Sequence, residues 1–77
     1  MNKFVSFDQY VANQEGKKEH CGTVYFHVDW IAGVRDLWDR HDVVISGVCG
    51  IVDRAGQVTV VGGSVDSVMQ KIEDASL

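Results

Sequence analysis

The sequence predicts a small α+β domain ordered α-β-α-β-β-α, with helices packed on a three-stranded sheet whose second and third strands form an antiparallel hairpin. Three observations predict it. Residues 30–41 carry apolar side chains at helical spacing. Residues 43–52 are almost unbroken apolar and rich in β-branched residues, the pattern of a strand covered on both faces. Asp53-Arg54-Ala55-Gly56 then reads as a hairpin turn, with Gly56 at the left-handed position, returning the chain to a strand over 57–61.

Each element has a local warrant. Ser6 and Gln9 stand as a capping box, Val5 and Tyr10 occupy the staple positions, and Gly16 is a natural stop, so 6–15 reads as a short helix. In 22–28, Val24, Phe26 and Val28 alternate with Thr23, Tyr25 and His27, which is a strand with one core face. Asp29 can cap the second helix, 30–41. There Trp30, Ile31, Val34, Leu37, Trp38 and His41 fill an arc of roughly 120° at helical pitch, and Arg35, Asp36, Asp39 and Arg40 fall outside it. The pairs Arg35/Asp39 and Asp36/Arg40 are spaced to bridge on that helix. Gly47 and Gly50 interrupt the next strand, which marks a bulge or a close approach. Ser64 caps a last helix, 65–75, whose Val65, Val68, Met69 and Ile72 form one apolar stripe. A crossover through the second helix would set the first strand parallel to the second.

With 77 residues, 45% of them hydrophobic and no proline, the chain is expected to form one compact domain over 1–77 without a linker. No apolar run approaches the roughly 20 residues of a membrane-spanning helix. The N-terminus lacks the basic and apolar regions of a signal peptide, so a cytoplasmic protein is expected. Eleven acidic against seven basic residues give a net charge of −4. Lys17-Lys18 is the one adjacent basic pair and has acids on both sides, so direct nucleic-acid binding is disfavoured. Two cysteines, Cys21 and Cys49, fit buried reduced thiols, with a single inter-strand disulfide as the alternative.

No catalytic, cofactor or metal constellation is expected. His20, Cys21, His27, His41 and Cys49 match no paired-ligand spacing for zinc. Cys49, set mid-strand, is expected to be buried and inert, and His20 and Cys21 point to opposite sides of a strand. Val60-Val61-Gly62-Gly63-Ser64 lacks the lysine of a phosphate loop and reads as a tight strand-to-helix turn.

These exclusions leave an acidic, non-enzymatic protein–protein interaction domain. Its expected interface is the second helix and adjoining loop: Trp30, Arg35, Asp36, Trp38, Asp39 and Asp42. Both tryptophans are expected to serve the core first, with one as an exposed anchor if the sheet cannot cover both. The acids would steer a partner with a basic surface. Size and charge alone place such a protein with phage accessory inhibitors of host complexes, the anti-CRISPR proteins among them. A homodimeric regulatory or structural subunit, joined through an open sheet edge or the tryptophan helix, is the first alternative. A small-ligand or metal-binding module is the second.

Overall fold

A computed structural model describes residues 3–77 of the chain. It contains five strands, β1 (Phe4–Ala12), β2 (Lys18–His27), β3 (Ile31–Arg35), β4 (Val48–Asp53) and β5 (Val58–Gly62), and one helix, α1 (Val65–Ser76). A single 3-10 turn, Val28–Trp30, joins β2 to β3. The strands form one sheet in the order β2-β1-β5-β4-β3, and every pairing is antiparallel. The three-stranded sheet and the α-β-α-β-β-α order expected from the sequence are therefore wrong, as is the parallel pair.

The first expected helix is β1. As a strand it buries both Val5 and Phe7 and leaves Phe4 and Asp8 outside. Burial of two such side chains stabilises by about 1.5–3 kcal/mol each, whereas a capping box contributes only about 1 kcal/mol. The longer-range term wins. The second expected helix is β3 followed by a crossing segment. Val34 pairs with Ile51 and Arg35 with Gly50, with a register break between Ile31 and Gly33.

The hairpin turn, the last helix and the apolar strand are found, the strand in shortened form. Gly56 has φ +85° and closes the turn by donating to the Asp53 carbonyl at 3.0 Å. Ser64 caps α1 in a reciprocal capping box with Ser67. The strand expected over 43–52 begins only at Val48; from there through Ile51 it is buried on both faces.

Paired residues on adjacent strands share a face, so the register sorts the sheet. One face holds Val5, Phe7, Val24, Phe26, Val34, Cys49, Ile51 and Val61. Val65, Val68, Ile72 and Ala75 of α1 pack on it to make the core. Lys71 donates to the Ser6 carbonyl and holds its ammonium 4.9 Å from the Phe7 ring centroid. The other face carries Tyr10, Val48, Gly50, Val58, Val60 and Gly62, and part of it lies under segment 36–47. The sheet also curls. Its outer strands β2 and β3 would lie about 19 Å apart in a flat sheet, yet the four residue steps from His27 to Ile31 reach only about 14 Å.

Candidate functional site

Segment 36–47 leaves the end of β3, crosses the face opposite α1, turns, and returns to β4. It is a small hairpin of its own. Trp38 and Val44 form an isolated antiparallel bridge, and Ile45 donates to the Leu37 carbonyl at 2.8 Å. Leu37 points down at the sheet, where a Cβ on Gly50 would stand 3.2 Å from Leu37 Cδ2 and 2.7 Å from Val58 Cγ1. Gly50 thus marks a close approach, as the sequence indicated, and the neighbours are side chains. Ile45 is buried beside it.

The tip of this hairpin is fixed by Asp39. Its Oδ1 accepts from His41 N at 2.8 Å and Val43 N at 3.1 Å, while Asp39 N donates to the Val43 carbonyl. The same bonds recur in two other turns, around Asn13 in 13–17 and Asp53 in 53–57. Three residues after each of these side chains the backbone turns left-handed: Gly16 at φ +79°, Asp42 at φ +59° and Gly56 at φ +85°. Sequence reasoning found one of the three turns. It missed the others although the signal was present, an Asn or Asp followed three residues later by Gly or Asp.

The hairpin tip docks on the β1–β2 turn. Arg40 N donates to the Gln14 carbonyl at 3.0 Å, and Arg40 Nη1 lies 2.9 Å from Glu15 Oε1. Lys18 Nζ donates to the Ser46 carbonyl. Between the two hairpins is a hollow of about 360 Å³ lined by Ala12, Gln14, Leu37, Trp38, Ile45 and Val60 among others.

The expected interface residues do not lie along one helix. Trp30 closes the 3-10 turn at one end of β3, where its carbonyl accepts from Arg54 N. Arg35, Asp36, Trp38, Asp39 and Asp42 lie beyond the other end. Arg35 stacks 5.5 Å from the Trp38 ring, and neither expected intrahelical pair forms. Asp39 is committed to its turn, while Asp42 faces solvent. Both tryptophans, expected in the core, are half exposed, at 50% for Trp30 and 48% for Trp38. Val43 and Val44, which the sequence assigned to a buried strand, are exposed beside Trp38.

The titratable groups are dispersed. His20 lies 3.6 Å from Asp8, and His27 lies 3.8 Å from Asp29. Among the described residues no three His, Cys, Asp or Glu side chains are grouped to hold a metal ion. Burial pushes the Cys49 thiol up, with the Asp36 carboxylate adding to it, which is opposite to the activation a nucleophile needs. Cys21 is exposed on β2, three strands from Cys49, a separation of about 14 Å that no disulfide spans. Both thiols are free.

Compared with known proteins, the chain matches no family model, no curated protein and no solved structure. Among the described residues no helix is long and apolar enough to cross a membrane.

Proposed function

We propose that this chain is a non-enzymatic protein-interaction domain, and that hairpin 36–47 is the part that meets the partner. The observation that carries the reading is the composition of the hairpin surface. Trp38, Val43 and Val44 are exposed together on an element braced from below by Leu37 and Ile45. Asp36, half-buried, and Asp42, exposed, flank them. An apolar centre with a charged rim is how protein interfaces are built, and tryptophan is the residue most enriched where their binding energy concentrates. The net charge of −4 favours a basic partner surface and would speed encounter.

Size and charge support a finer form of this reading, a phage-type inhibitor of a host complex acting in the cytoplasm, the anti-CRISPR proteins being one such class. Affinity capture from a bacterial lysate over a salt series tests the proposal. The expected result is one complex that weakens as salt rises and is held several-fold less well by the Asp36→Asn/Asp42→Asn variant. Retention of the same complex, indifferent to salt and to that variant, would overturn the acidic-rim reading.

A further inference from the structure

His27 ends β2, and one atom of its ring serves two neighbours. Nδ1 accepts the backbone N–H of Asp29 at 3.2 Å and so caps the 3-10 turn Val28–Trp30. The same atom lies 3.8 Å from Asp29 Oδ2. A ring nitrogen that accepts carries no proton, so the neutral ring holds its proton on Nε2. The ring stands edge-on to Phe4, with centroids 5.2 Å apart and planes at 84°.

The two contacts of Nδ1 exclude each other. A proton taken from solvent onto Nδ1 uses the lone pair that caps the turn, and two N–H donors then face each other. The Asp29 carboxylate, with its side chain 83% exposed, is the acceptor within reach. Of the other charged groups on the elements that meet here, Lys3 Nζ donates to the Ser76 carbonyl and Arg54 Nε to the Asp29 carbonyl. We infer that His27 is a proton-operated latch on the β2–β3 corner. Neutral, it caps the turn; protonated, it releases Asp29 N and pairs with the Asp29 carboxylate. Imidazole is the side chain suited to change charge near neutral pH. The turn is the short connection that brings β2 round to β3, and half-exposed Trp30 closes it, so the latch sets how Trp30 is presented. His20 is the comparison within the same strand. It lies 3.6 Å from Asp8 and edge-on to Tyr10, but among the described residues its ring accepts no backbone N–H. Its protonation forms an ion pair and releases nothing. The latch does not depend on the proposed function of hairpin 36–47.

Nuclear magnetic resonance of the full chain, labelled with nitrogen-15 and taken from about pH 8 to about pH 5, tests this. At the alkaline end the His27 ring is expected with its proton on Nε2. As the ring gains its second proton, the Asp29 amide and the Trp30 signals should shift in step with it. Solvent exchange of the Asp29 amide, relative to its intrinsic rate at each pH, should rise several-fold over the same range. Titration of His20 should leave both residues unmoved. His27→Asn keeps a capping acceptor that does not titrate, so Asp29 and Trp30 should hold still throughout. A neutral His27 protonated on Nδ1 would overturn the inference. So would an Asp29 amide whose exchange ignores the His27 titration, or a transition that survives in His27→Asn. None of these outcomes bears on whether the hairpin captures a partner.

Discussion

Asn13, Asp39 and Asp53 hold three turns by the same bonds, each side-chain oxygen taking two backbone N–H groups. Because Asn serves at position 13, Asp39→Asn should be nearly neutral, while Asp39→Ala should cost about 1–2 kcal/mol in urea denaturation. Equal effects would show that the side chain does not hold the turn. Asp42 is the one non-glycine among the left-handed turn positions. The left-handed conformation costs an ordinary residue about 1–2 kcal/mol, and glycine's extra freedom in the unfolded chain costs about 0.5–1 kcal/mol. Asp42→Gly should therefore stabilise by about 0.5–1 kcal/mol; a loss of stability would mean the Asp42 side chain makes a contact worth more than the strain. Cys49 keeps its proton to higher pH in the folded state than in the unfolded chain. The stability this confers is full below the unfolded thiol's pKa and is lost as pH rises through the folded one. The urea midpoint should fall at alkaline pH, and less steeply in Cys49→Ala. Parallel pH curves for the two proteins would contradict the assignment.

At the scale of elements, the crossing of segment 36–47 over Gly50 is what joins the candidate site to the sheet. A methyl at Gly50 meets Val58 and Leu37, whereas one at Gly33 meets nothing within 4 Å. Gly50→Ala should cost about 1–3 kcal/mol and loosen the hairpin. Gly33→Ala should be neutral or stabilise by up to about 1 kcal/mol. Thermal melts of both variants check this, and equal effects would place Leu37 elsewhere. Which elements were legible follows from how local their causes are. The 53–57 turn and α1 are fixed by residues within a few positions of one another, Asp53 with Gly56 and Ser64 with Ser67, and both were readable. β1 and β3 are fixed by partners far along the chain, Val5 by Phe26 and Val34 by Ile51. Their local patterns, a capping box and a helical arc, pointed the other way. The six candidate site residues were found as residue types, and five of them fall on or beside the hairpin. Their grouping was not legible, because it depends on a chain reversal at Asp39 inside what reads as a helix.

Across the whole molecule, the acidic charge makes the proposed partner contact salt-sensitive. Capture of a basic partner by hairpin 36–47 should weaken with salt. The free chain has α1 on one face of the sheet and the hairpin on the other, so partner binding should be confined to one side. The most direct test is amide hydrogen exchange of the captured complex against the free chain. The account predicts new protection over 36–47, centred on Trp38 and Val44, with the exchange of α1 unchanged. Protection over α1 or along β1 and β2, with 36–47 unaffected, would contradict it.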